Sequence, residues 1–199
     1  MSQVLVPRLV KSLRNWARIQ AMRLRGEAAR RLSMGSIQAG KRLLIGQNVR
    51  LVIYGDLVLG DDVVLSDGCG LEVAPGGMIV LGSGVFVGRN TVIVAKERVE
   101  IGDRTLIGEH CSIRDQDHHV DPAVRVRETQ SINAPVVLEP NVWVGAGVRI
   151  LRGCHIGTGT VVAANAVVRE SAPAGVVIGG VPARILGPAN DRARCADVR

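Results

Sequence analysis

Apolar positions in the last third of the chain recur at every sixth residue: Leu138, Val144, Ile150, Ile156, Val162 and Val168. Four places after each stands a smaller side chain, Val142, Val148, Cys154, Thr160, Ala166 and Ala172. A helix repeats its apolar stripe every three to four residues and a half-buried strand every two, so a sustained period of six fits neither. It is the period of a parallel β-helix. There each coil is three short strands, the wide aliphatic points into the shaft, and the small residue sits where the chain turns a corner. The register continues upstream as Ile101, Ile107 and Ile113, as Leu81, Val87 and Ile93, and as Leu59, Leu65 and Leu71. Between these sets the step lengthens, across Ala74-Pro75-Gly76-Gly77 and Lys96-Glu97-Arg98, as expected where a corner loop admits extra residues.

Ahead of the repeat the pattern changes. Leu9, Leu13, Trp16, Ala17, Leu24 and Ala28 recur near helical spacing among Arg8, Lys11, Arg14, Arg18, Arg23, Arg25, Arg30 and Arg31, which predicts one amphipathic basic helix between residues 7 and 32. Opposed only by Glu27, these cations carry the whole formal net charge of +7. Two readings of the helix stand side by side. It caps the open end of the coils, where the first rung would otherwise expose its edges, or it makes a peripheral contact with anionic lipid. Three segments follow: a basic helical stretch over 1–42, the solenoid over 43–186 and a loosely ordered tail over 187–199.

Composition agrees with an all-β solenoid. The 199 residues include only Trp16, Tyr54, Phe86 and Trp143 as aromatics, against 24 glycines, so the core is narrow and aliphatic. The shortage of aromatic surface for stacking bases argues against a nucleic-acid partner. No apolar run of about 18 residues is free of the repeat, and Met1–Pro7 has no secretory core, so a cytoplasmic protein is expected. Cys69, Cys111 and Cys154 fall at the small-residue place of their hexapeptides and read as packing residues, while Cys195 lies in the tail.

The ladder breaks hardest after Ile113, at Arg114-Asp115-Gln116-Asp117-His118-His119, and resumes only at Pro135-Val136-Val137-Leu138. An excursion of this length from a regular scaffold, at about 115–135, is a candidate functional loop. Histidine accepts a proton near neutral pH, and a nearby carboxylate can fix its tautomer.

The repeat, the histidines at the root of an excursion, Val142-Trp143-Val144-Gly145-Ala146 and the closing Gly179-Gly180-Val181-Pro182-Ala183-Arg184-Ile185 together resemble the hexapeptide-repeat acyltransferases. Within them the match is to the sugar O-acetyltransferases, a branch that includes galactoside and maltose acetyltransferases and enzymes decorating polysaccharides. The resemblance covers residues 43–186 and implies a left-handed coil, against the usual right-handed crossover, and a homotrimer with active sites between subunits. It implies His118 as general base, Asn90 near the acceptor hydroxyl, and either Asp115 or Asp117 as the carboxylate that orients the imidazole. Asn90 reads equally as a turn residue after Gly88-Arg89, and Asp115 as a solvated loop charge. For acetyl-CoA it implies the backbone at Gly145, Ala146, Ala163 and Ala164, with Arg169 and Arg184 towards the phosphates and Trp143 beside the groove, or covering the shaft. The chain departs from the family at Asn165-Ala166, where relatives commonly carry Gly-Ser, and at Glu170, where they carry Lys.

The function implied is direct transfer of an acetyl group from acetyl-CoA to a hydroxyl of a sugar or glycosylated acceptor, without a metal. Three alternatives stand beside it. One is N-acetylation of a nucleotide-linked amino sugar. The second is a zinc protein like the γ-type carbonic anhydrases, using His110, His118, His119 and His155. The third is a scaffold without activity.

Overall fold

The computed structural model describes residues 5–32, 37–126 and 130–190. One helix, Leu5–Leu32 (α1), precedes a left-handed parallel β-helix whose strands form three faces of a prism. The first face has six strands, from Ile37–Ala39 to His155–Ile156; the second has eight, from Leu44–Ile45 to Ala183–Pro188; the third has six, from Arg50–Ile53 to Val167–Val168. The first strand of the solenoid, Ile37–Ala39, pairs in parallel with Asp56–Leu59, so the coils begin ahead of residue 43.

Register follows the hexapeptides. On the first face Leu59, Leu81, Ile101, Leu138 and Ile156 stand in one column, and on the third Leu71, Ile93, Ile113, Ile150 and Val168 in another. One coil therefore sends Ile101, Ile107 and Ile113 into the shaft from three directions, each with no exposed surface. Burial of each contributes about 1.5–3 kcal/mol relative to exposure. All four aromatics stand outside this core: Trp16 is 62% exposed, Tyr54 73%, Phe86 40% and Trp143 41%.

The corners explain the small residues and the glycines. At the corner between the second and third faces, Asn48, Gly68, Asn90, His110, Gly147 and Asn165 all have positive φ, from 53° to 74°. Only Gly, and less readily Asn or a few others, takes this conformation cheaply. Insertions gather at a different corner, between the third and first faces. It holds Ala74-Pro75-Gly76-Gly77, Lys96-Glu97, and the long excursion after Asp115.

Helix α1 sits on the first coil, but not by the stripe expected to seat it. Met22 and Gly26 are buried, Arg25 Nε donates to the Ile45 carbonyl at 2.8 Å, and Arg18 pairs with Asp67 at 2.8 Å. A Cβ on Gly26 would lie 2.0 Å from the Leu43 oxygen, so glycine permits the close approach. Trp16 and Leu24 point outward, at 62% and 66% exposure. Capping thus runs through polar anchors and one glycine, and a hydrophobic seal by the Trp–Leu stripe does not form. The C-terminal end closes with an antiparallel hairpin of Val176–Gly180 and Ala183–Pro188, joined through a cis Val181–Pro182 bond. Arg127, Glu128 and residues 191–199, with Arg192, Arg194 and Cys195, lie outside the described residues.

Candidate active site

The excursion opens as a two-stranded antiparallel ribbon, Gln116–His118 against Ser131–Asn133, with His118 opposite Ser131. Its root is fixed by Asp115. This residue follows Arg114, whose partner on the coil before is Val94, so it stacks over the interior Ala95, and it has no exposed surface. Its carboxylate accepts backbone N–H groups from Lys96 at 2.9 Å, Glu97 at 2.7 Å and Arg98 at 2.8 Å. Its carbonyl accepts the N–H of Ala134 at 2.9 Å, where the chain returns. Neither sequence reading of Asp115 fits this placement: it is no solvated loop charge, and its carboxylate is engaged by a turn rather than by an imidazole. Next along, Asp117 Oδ2 accepts from Arg152 Nε at 2.8 Å, a second tie between ribbon and coils. His118 itself is exposed, three residues from the buried anchor.

A second set of groups lies along the corner between the second and third faces. There the N–H of Gly145 donates to Val162 O and that of Ala163 to Ile178 O, both at 2.8 Å, so these two amides are consumed by the coil-to-coil ladder. The N–H groups of Ala146 and Ala164 have no hydrogen-bond partner among the described residues. The residues between coils decide this. At the corner between the first and second faces the equivalent N–H groups of Lys41, Ser83 and Thr158 are capped by Asp61, Asp103 and Glu139 side chains, at 2.6–2.8 Å. Alanine at 146 and 164 has no such group to offer. Two outward N–H groups one coil apart make a short anion- or carbonyl-binding edge.

Asn90 belongs to the same corner, with φ of 54° and its N–H donated to Asp67 O at 3.1 Å. It also lines a cavity of about 730 Å³ between α1 and the second face, with Arg18, Met22, Phe86, Arg89 and His110. Turn residue and site residue are therefore compatible roles. Trp143 does not cover the shaft, which Val144 fills; it stands outward in register with Leu106 and Phe86, a column of three half-exposed apolar side chains. Arg169 and Arg184 are exposed and share Glu170 Oε1, at 3.4 and 3.5 Å. Exposed pairs of this length hold weakly, so an incoming phosphate can displace Glu170.

Comparison with known proteins follows this geometry. The bacterial transferase hexapeptide family matches residues 135–170. The chain is 34% identical over 144 residues to WbbJ of Escherichia coli, assigned to lipopolysaccharide biosynthesis as an O-acetyl transferase, covering 66% of this chain and 71% of that protein. The chain belongs to the hexapeptide-repeat acyltransferases. It is also 33% identical to the galactoside O-acetyltransferase of Escherichia coli, over 56% of this chain and 57% of the enzyme. Its match to a probable acetyltransferase of Mycobacterium tuberculosis is 36% identical, over 55% of this chain and 37% of that protein. Shared acyltransferase architecture extends to AntD, an N-acyltransferase from Bacillus cereus solved with dTDP and coenzyme A. It has a TM-score of 0.72 at 22% identity, over 86% of this chain and 92% of that one.

Within this hexapeptide-repeat chain the sequence-derived residues form two groups, not one. Asn90, Ala146 and Ala164 share the corner between second and third faces, whereas His118 leaves the corner between third and first. These corners lie beyond opposite ends of the third face, whose four-residue strands such as Val92–Ala95 span roughly 10 Å or more. Sequence reasoning missed the cavity residues Arg18, Met22, Phe86, Arg89 and His110. The signal for Phe86 was present: an aromatic at the outward position beside an inward Val87. Arg18 and Met22 could not be placed without knowing which side of α1 meets the coils.

The remaining chemistry supports a site without a protein nucleophile. Burial pushes the thiols of Cys69 and Cys154 up to about 11 and that of Cys111 in the same direction, so each stays protonated. Among the described residues no three His, Cys, Asp or Glu side chains converge as metal ligands, and His155 is hydrogen-bonded through Nε2 to Glu139 at 2.8 Å.

Proposed function

We propose that this protein transfers an acetyl group from acetyl-CoA to a hydroxyl of a sugar or glycosylated acceptor, as a cytoplasmic homotrimer. The observation that carries the reading is the separation just described. A ribbon bearing His118 and an edge bearing Asn90, Ala146 and Ala164 occupy different corners of one prism, so a common site needs the ribbon of one copy against the edge of the next. Two further features support this. The ribbon exposes Val120 (70%) and Ile132 (42%), and Gln116 Oε1 is buried without a hydrogen-bond partner among the described residues. An orphaned buried acceptor costs about 1–3 kcal/mol, which a neighbouring chain's donor would relieve.

In this site His118 takes the proton from the acceptor hydroxyl as its oxygen attacks the thioester carbonyl. The Ala146 N–H meets the oxyanion that develops, and Asn90 holds the acceptor. The C–S bond breaks and the thiolate of coenzyme A leaves, collecting a proton from the imidazolium. No acyl-enzyme forms, in keeping with three protonated, buried thiols. Ala164 N–H holds the pantetheine arm along Trp143, while Arg169 and Arg184 meet the phosphates in place of Glu170. Asp115 is a positioning residue that holds the ribbon's base.

The test is thiol release from acetyl-CoA over a panel of sugars and glycosylated acceptors. His118→Ala should lower kcat by about 10² to 10⁴-fold while leaving acetyl-CoA binding unchanged. Unaltered turnover would remove His118 from the mechanism. Product stability to mild alkali distinguishes an ester from an amide.

A further inference from the structure

Helix α1 turns its apolar stripe away from the coils, and we propose that this stripe docks the protein on an anionic lipid surface. The orientation is locked rather than adjustable. Gly26 lies against Leu43, where a rotated helix would bring a side chain to within 2.0 Å of the backbone oxygen, and Arg25 and Arg18 hold the same side through Ile45 O and Asp67. Trp16 and Leu24 are left outward. In sequence Leu9 and Leu13 continue their register, one and two turns towards the N-terminus.

Charge identifies the occupant. Residues 1–33 carry the protein's whole excess of +7, and only Arg18 and Arg25 of these cations are engaged on the coil side; Arg23 is exposed beside the stripe. A second copy would bring an equal positive charge onto the same face and be repelled. An anionic headgroup layer answers both features, since Trp and Leu enter the interface while Arg and Lys meet phosphates. The two most exposed aromatics, Trp16 at 62% and Tyr54 at 73%, both belong to this end of the molecule, on α1 and the first coil. Aromatic side chains settle at such interfaces. Resting on the acceptor reading of the 730 Å³ cavity, which α1 walls from its inner side, docking would hold that cavity about one helix diameter, roughly 10 Å, from the headgroups.

The test is co-sedimentation of the full chain with vesicles of phosphatidylcholine alone and of phosphatidylcholine with phosphatidylglycerol. Binding should require phosphatidylglycerol and weaken in about 0.5 M salt. The double variant Trp16→Ser/Leu24→Ser should lower partitioning at least about tenfold, with an unchanged urea midpoint because both side chains are exposed. Absence of phosphatidylglycerol-dependent binding would overturn the proposal. So would a double variant that binds as the parent does, or one that loses an oligomer when the parent ignores vesicles, which would make the stripe a protein contact. Thiol release with a soluble acceptor needs no vesicles, so failure of docking is separable from failure of the transferase reading.

Discussion

Replacing Asp115 by alanine removes the acceptor for three backbone N–H groups, those of Lys96, Glu97 and Arg98, at 2.7–2.9 Å. Hydrogen bonds to a charged group contribute about 1.5–3 kcal/mol each. The sum is not additive because the three share one carboxylate, and Glu97 is exposed, so water recovers part of the loss. About 3 kcal/mol remains, a large fraction of a typical domain's 5–15 kcal/mol. With a urea slope of about 2 kcal/mol/M, the unfolding midpoint should fall by about 1.5 M. Turnover should fall as well, because His118 lies three residues along from the lost anchor. Affinity for acetyl-CoA should hold, since Ala146 and Ala164 lie at another corner. Asp115→Asn keeps one oxygen and should restore part of both stability and kcat. The measurements are urea unfolding, thiol release and its pH profile. A midpoint within about 0.3 M of the parent would refute the anchoring role. So would a displaced acid limb of the pH profile at full stability, which would return Asp115 to direct contact with the imidazole.

At Asn90, where φ is 54°, two substitutions separate backbone from chemistry. Asn90→Gly should unfold near the parent midpoint but lose about tenfold in kcat/KM for the acceptor, whereas Asn90→Ala should add about 1–2 kcal/mol of destabilisation from the Cβ. Full activity in Asn90→Gly would leave it a turn residue. For the thiols, burial raises the folded values of Cys69 and Cys154 from about 9 to about 11. Their contribution to stability is therefore complete below pH 9 and disappears as pH rises from 9 to 11. Cys69→Ala/Cys154→Ala should flatten the alkaline arm of a pH–stability curve, and in a Cys195→Ser background native protein should show no fast-reacting thiol at pH 8.

The period of six made the coils legible because each hexapeptide meets the same shaft, so Ile101, Ile107 and Ile113 repeat one environment. The corner insertions were legible for the same reason, as interruptions of a strict count. Helix α1 was harder to read. An amphipathic stripe reports that one side is apolar but not which side a neighbour covers, and here Gly26, the least conspicuous residue of the helix, sets the contact. Asp115 was misread because charge in a polar segment suggests solvent. Its burial depends on three N–H groups some twenty residues earlier in the chain, which spacing alone does not bring together.

Amide pairing shows how a uniform scaffold acquires a site. Every coil crosses the same corner with three successive residues, of which the first donates to the next coil, the third donates to the previous one, and the middle one points outward. Gln47 is capped by Asp67 Oδ1 at 2.8 Å, so its N–H is satisfied within the protein. At Ala146 and Ala164 the same N–H remains free because the residue that would cap it has shrunk to a methyl group. Site formation here is subtraction: two missing carboxylates along one edge leave two donors in fixed positions, without changing the path of the backbone. It follows that Ala164→Asp, which restores a carboxylate above Ala146, should leave the coils folded and weaken the edge for both the oxyanion and the pantetheine arm.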